Sequence, residues 1–274
     1  MFKTLVFFLL THFSVGLLFT IALISLHEMG TSFFRLNSWL SLFFISLALL
    51  VQPFGPPRIF TLLSTPEWEP LFWRQLSYLS FGLSVLFLLF YNLIHPKGHK
   101  LLLRTALVLG LFGIGATSLV STAELPTHGA QLALLVIQGV TSSMVLGSVL
   151  GAMITGHWYL VQHDLSLTPL LSSSKFYLFS MGVRTAAVLA TLLLFQNAIP
   201  PLNLVNGMGF VSIVFWFRVG IGLVVPLIFG MMVLSSVRIR STQSATGILY
   251  ATIVLVLVGE VSAKFLSMTT GMPF

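Results

Sequence analysis

Apolar runs recur from one end of the chain to the other, parted by short polar stretches. A helix of about 20 mostly apolar residues crosses the hydrocarbon of a bilayer. The runs predict spans over residues 4–26, 38–55, 76–95, 101–121, 130–158, 176–198, 210–236 and 244–266. Nothing between them is long and polar enough for a soluble domain. The expectation is an all-α polytopic membrane protein, a bundle of about eight helices forming one integral membrane domain over residues 1–274. The first run follows Lys3 and outlasts the apolar core of a signal peptide. Leu26-His27-Glu28-Met29 offers no small-residue cleavage site, so this run is read as a span.

Proline and small residues refine the picture. Pro53, Pro56, Pro57, Pro96, Pro126, Pro200 and Pro201 fall at or near span ends, where a missing backbone donor does least harm. Pro226 lies inside the seventh span and is expected to kink it. Ser143, Gly147, Gly151 and Thr155 recur every fourth residue on one face of the fifth span, which reads as a seam for a close helix neighbour. Gly222, Pro226 and Gly230 form a similar stripe on the seventh.

Composition agrees with lipid as the main solvent. Hydrophobic residues make up 57% and charged residues 7% of the chain, against roughly 25% charged in a soluble domain. Mean hydropathy is +1.03. The net charge of +7 is carried by Lys and Arg in short loops, so it reports membrane topology and not nucleic-acid binding. Arg35, Lys97, Lys100, Arg104, Lys175, Arg238 and Arg240 gather on one side, which the positive-inside rule makes cytoplasmic. Both termini then lie outside, as does the long connection from Phe54 to Gln75 with Arg58, Glu67, Trp68, Glu69, Trp73 and Arg74. There is no cysteine, so this chain holds no iron–sulfur cluster or Cys-based zinc site.

Ionisable groups inside a span cost about 2.5–3.5 kcal/mol at its centre and need partners. Arg218 and Glu260 sit at matching depth on two antiparallel spans joined by a short loop and are expected to pair; Lys264, one turn from Glu260, competes for it. Two readings stand, an ion pair that locks helices or one wall of a ligand pocket. His12, Gln52, Gln75, Glu124, Gln131 and Gln138 lie toward the outer side, and the inner half looks drier, with Arg184 the main exception. This asymmetry implies a polar pocket facing the outer leaflet. Taken singly, each Gln reads first as an interhelical hydrogen bond. His157 and His163 flank Trp158 and Tyr159 and have only Asp164 as a third ligand, which favours an interfacial anchor over a metal site. His12 is the one His well inside a span, which argues against intramembrane haem.

Two stretches resemble a known family. Gln52-Pro53-Phe54-Gly55-Pro56-Pro57-Arg58-Ile59-Phe60 is similar to the Gly-x-Pro-x-Arg-x-Phe turn after the second helix in membrane subunits of the DMSO reductase anchor and NrfD/polysulfide reductase group. Gly259-Glu260-Val261-Ser262-Ala263-Lys264 is similar to the Gly-Glu-x-x-x-Arg stretch that closes the anchor type, with Lys for Arg. The resemblance implies a quinone-reactive subunit in a bacterial cytoplasmic membrane, not an enzyme by itself. It would bind menaquinone or ubiquinone between the first four helices, near the outer leaflet. It would exchange electrons with a ferredoxin-like iron–sulfur subunit, itself linked to a molybdenum-containing catalytic subunit. Position by position, Gln52 stands where the family often has His at the quinone pocket, and Gln75 falls near an acidic position. Arg58 matches the Arg of the turn, and Glu260 the final-span Glu. Gln can hydrogen-bond a quinone oxygen but cannot take a proton, so proton handling would fall to His12 or Glu260. The competing expectations are a transporter or channel whose path is lined by Arg218, Glu260 and Arg184, and a membrane scaffold with no site of its own.

Overall fold

The computed structural model describes residues 2–24, 26–51, 70–94, 100–120, 129–162, 165–194 and 209–274. Eight helices among these are long and apolar enough to cross a membrane. They are α1 (Phe2–Leu23), α2 (Leu26–Val51), α3 (Pro70–Leu93), α4 (Lys100–Val120), α5 (Gly129–Val161), α6 (Thr168–Leu194), α7 (Phe210–Arg238) and α8 (Thr242–Thr270). No strand occurs among the described residues. Large apolar side chains such as Leu50, Leu93, Phe179, Phe210 and Trp216 are exposed, as lipid-facing residues of a multi-pass membrane protein would be.

Three helices begin earlier than the hydropathy runs predict. α2 starts at Leu26 and bends at Gly30, whose φ of 74° is left-handed backbone that suits glycine. α3 starts at Pro70, so Gln75 lies within the helix and does not open it. α6 starts at Thr168 and includes the polar run Ser172-Ser173-Ser174-Lys175. The physical reason is hydroxyl chemistry. Ser173 and Ser174 donate to the Leu170 carbonyl at 3.0 and 2.7 Å, so polar residues sit inside a helix with their hydrogen bonds satisfied. Likewise Asn37 donates to the Phe33 carbonyl at 2.8 Å, and Ser38 donates to Asn92 of α3 at 2.6 Å.

α1 and α5 are the central pair. α1 packs on α2, α4, α5 and α8, while α5 also carries α4, α6 and α8. Their seam is the small-residue stripe. A Cβ on Gly147 would lie 1.8 Å from the Gly16 carbonyl carbon, so the two backbones touch. Thr20 of α1 donates to the Gly147 carbonyl at 3.1 Å and packs over Gly151. The second stripe meets two helices. Gly222 lies on Gly259 of α8, Gly230 on Tyr177 of α6, and the Tyr177 hydroxyl donates to the Pro226 carbonyl at 2.8 Å. Ahead of Pro226, residues Gly220–Val224 form a π-helical turn. The extra residue in that turn accommodates a residue that lacks a backbone donor.

Replacing Gly147 by Leu should unfold or misassemble the bundle, because α1 cannot move aside without breaking the Thr20 bond. The expected cost is at least about 1–3 kcal/mol. Gly182→Leu, where a Cβ meets nothing within 4 Å, should stay within about 0.5 kcal/mol of wild type. Thermal unfolding of the purified chain in detergent measures both.

Candidate functional site

Glu260 is the centre of a buried polar cluster that joins four helices. One carboxylate oxygen accepts from Arg184 Nε and from Arg218 Nη1, both at 3.0 Å. The other accepts from Arg184 Nη2 at 2.8 Å and from the Ser142 hydroxyl at 2.6 Å. Arg184 comes from α6, Arg218 from α7, Ser142 from α5 and Glu260 from α8. The Arg184 fork is bidentate, the strongest carboxylate geometry. Four donors use the acceptor sites of the carboxylate, so it has no position left for a ligand.

Arg184 does more than pair. Its Nη1 donates to the Gln138 carbonyl at 3.0 Å and to the Gln138 side-chain oxygen, and its Nη2 donates to the Phe274 main-chain oxygen at 3.0 Å. Gln138 in turn donates to the Ala187 carbonyl at 2.8 Å and to Thr191 at 2.6 Å. The depth estimate from sequence put Arg184 in the drier inner half, and the structure revises this. With α6 running from Thr168 to Leu194, Arg184 lies just outward of the helix midpoint and level with the cluster.

Residues 271–274 close the outer end. Gly271 adopts φ 73°, the left-handed cap that reverses a helix. The chain then folds back. Thr191 donates to the Pro273 carbonyl at 2.8 Å, and the Phe274 amide donates to Ser267 at 3.0 Å. Among the described residues, two cavities lie near this end. The larger, about 430 Å³, is lined by α1, α4, α5, α8 and this returning segment, with Lys264, Gln138 and Phe8 on its wall. The smaller, about 260 Å³, lies between α1, α3 and α4, with Arg74, Ser77, Tyr78, Thr117 and Phe7 on its wall. Thr4 and Phe8 separate the two and line both. Thr4 and Phe274 share a cavity, so both chain ends of the bundle lie on one side, which the Lys/Arg pattern makes the outer side.

The residues singled out in the sequence fall in different places. Gln52 and Arg58, with the whole Gly-x-Pro-like turn, lie outside the described residues, as do Glu124, His163 and Asp164. His12 is near the middle of α1; its Nδ1 is 2.6 Å from the Phe8 carbonyl, and its buried Nε2 has no hydrogen-bond partner among the described residues. It lines neither cavity. Gln75 is buried next to Arg74 and lines neither. Arg218 and Glu260 meet. Lys264 makes no ion pair with Glu260; its ammonium stands 4.6 Å from the centre of the Phe8 ring instead. The reason is saturation, since both oxygens of Glu260 are taken by guanidinium and hydroxyl donors. His157 meets the Tyr250 hydroxyl at 3.0 Å, and Trp158 donates to Gln162 at 3.0 Å, both at an exposed helix end.

Sequence reasoning passed over Tyr78, a lining residue of the smaller cavity whose hydroxyl is buried and has no partner among the described residues. Its place one turn after Arg74 was the available signal. No protein-family model and no curated protein sequence matches the chain.

Glu260→Gln should cost about 3–5 kcal/mol, because two buried guanidinium groups lose their counter-charge. Lys264→Gln should cost less than about 2 kcal/mol, the upper range of a desolvated cation–π contact. Unfolding of the two variants in detergent compares them. Equal losses would mean that Glu260 is not the hub.

Proposed function

We propose that this chain is the quinone-binding membrane subunit of a multi-subunit oxidoreductase in a bacterial cytoplasmic membrane. The observation that carries the reading is the smaller cavity at the outer end of α1, α3 and α4, lined by Tyr78, whose buried hydroxyl has no hydrogen-bond partner among the described residues. Its place between helices of the first half agrees with the quinone position implied by the resemblance to the DMSO reductase anchor and NrfD/polysulfide reductase group.

The lining suits a quinone headgroup. Phe7, Phe8 and Val120 give apolar faces for the ring, and Tyr78, Ser77 and Thr117 are hydroxyl-bearing residues beside them. Binding sites for small molecules are mostly apolar, with a few placed polar groups. A buried hydroxyl with no partner is costly, and a ring carbonyl supplies the missing acceptor. Menaquinone or ubiquinone, when bound, supplies a carrier of two electrons and two protons. The chain itself would orient the ring through Tyr78, hold it near the membrane surface, and keep water from the side facing Phe7 and Phe8.

An iron–sulfur subunit would dock on the outer side, on the connection that includes Arg58 and on the start of α3 that carries Arg74, and would pass electrons to or from a molybdenum-containing subunit. Glu260 does not take part in this reading. It is saturated within the Arg184–Arg218 cluster and lines neither cavity. The same saturation removes the motive for a solute path through these charges.

Tyr78→Phe removes one hydroxyl and should weaken quinone binding about 10-fold, the worth of roughly one hydrogen bond, without lowering the melting temperature of the quinone-free chain. The measurement is quinone retained by the purified complex, by extraction and chromatography. A stable chain that co-purifies with neither quinone nor a redox partner would overturn the proposal.

A further inference from the structure

The second cavity has a different chemistry. It is the larger of the two, and among the described residues Lys264 carries the one charged side chain on its wall. Among the described residues the Lys264 ammonium has no carboxylate within ion-pair distance; its partner is the face of Phe8, at 4.6 Å. The carboxylate one turn away is not available, since Glu260 is held by two arginines and Ser142. Around the cavity and the cluster behind it, the side chains of Arg184, Arg218 and Lys264 face Glu260 as the one acidic side chain there among the described residues, and Arg184 also holds the Phe274 main-chain oxygen. Two of the Arg218 nitrogens, Nε and Nη2, are also buried with no hydrogen-bond partner among the described residues. The side chains of this part of the bundle carry more positive than negative charge, in a medium that screens charge poorly.

We propose that the larger cavity is a binding site for an anionic amphiphile. Its negative headgroup pairs with Lys264, assisted by the hydroxyl-bearing residues Ser118 and Ser267, and its apolar chain lies along Phe8, Leu135 and Met268. A neutral ring in this position leaves the charge imbalance as it is, whereas an anion reduces it. The depth fits. Lys264 lies within two turns of the α8 end at Thr270, about 9 Å at 1.5 Å per residue. The ammonium rests on Phe8, itself within two turns of the α1 start at Phe2, so it stands near the same end of the bundle. The cavity lies at the same end of the bundle. The site is also built and not incidental. Gln138 and Phe274 line it, and Arg184 holds both in place. This inference is independent of the quinone reading, which uses the cavity on the other side of Phe8.

A phosphodiester lipid and a fatty-acid carboxylate share the required chemistry, and the test separates them. The purified full chain is exchanged into neutral phosphatidylcholine nanodiscs, then supplied with phosphatidylglycerol, with oleate, or with further phosphatidylcholine. Retained lipid is counted by native mass spectrometry, and the melting temperature is followed in parallel. The expected result is retention of an anionic species at least about 10-fold over phosphatidylcholine, with a raised melting temperature. Preference for phosphatidylglycerol assigns a phospholipid, and preference for oleate assigns a fatty acid. Lys264→Gln should abolish the preference and Lys264→Arg should keep it. Leu135→Trp, which fills the cavity and leaves the charge in place, should also abolish it. Tyr78→Phe should leave it intact, so a failure here and a failure of the quinone site are told apart. Equal retention of neutral and anionic lipid, or a preference unchanged in both Lys264→Gln and Leu135→Trp, would overturn the proposal.

Discussion

The arrangement of this bundle depends on one carboxylate. Glu260 collects four donors from three other helices, two of them the paired nitrogens of Arg184. In a low-dielectric surrounding, a charge without its counter-charge is expensive, so these helices cannot separate or rotate independently. The cost of burial is offset by geometry: a fork on a carboxylate, a second guanidinium and a hydroxyl leave no acceptor position empty. The same saturation explains what the cluster is not. A carboxylate with no open lone pair offers nothing to a ligand or a travelling proton.

The cluster also builds the cavities near it. Arg184 reaches past Glu260 to Gln138 and to the Phe274 oxygen, and both of those residues line the larger cavity. The segment from Gly271 to Phe274 can stand as a wall because Gly271 takes the left-handed turn and Thr191 and Ser267 satisfy the returning backbone. On the other side of Phe8, the smaller cavity depends on α1 being held against α5 at Gly16 and Gly147. Structural features thus stand behind two openings of different character. One has an orphaned phenol and the other an ammonium with only an aromatic face for company.

Several features were legible along the chain. A close-packing face on α5 followed from Ser143, Gly147, Gly151 and Thr155 at four-residue spacing, since small residues on one face admit a backbone; that α1 fills it is seen only in the structure. The Arg218–Glu260 contact followed from equal depth on antiparallel helices. Other features were misread for a common reason. Hydropathy counts a serine or asparagine as polar wherever it stands, while inside a helix its side chain can bond a carbonyl of the preceding turn. This is why α2 and α6 start earlier than their apolar runs. That shift in α6 moved Arg184 from an isolated exception to the strongest partner of Glu260.

From the sequence alone came the solvent of this protein, its eight apolar helices and a close-packing face on the fifth of them. Each of these is a one-dimensional property, a run length or a spacing. The tertiary structure alone decided which of three cations would take Glu260, that Lys264 would be left facing a cavity, and that Tyr78 would be buried without a partner. These outcomes depend on helix rotation and on competition for a limited number of lone pairs. Both arise only when side chains from separate helices meet.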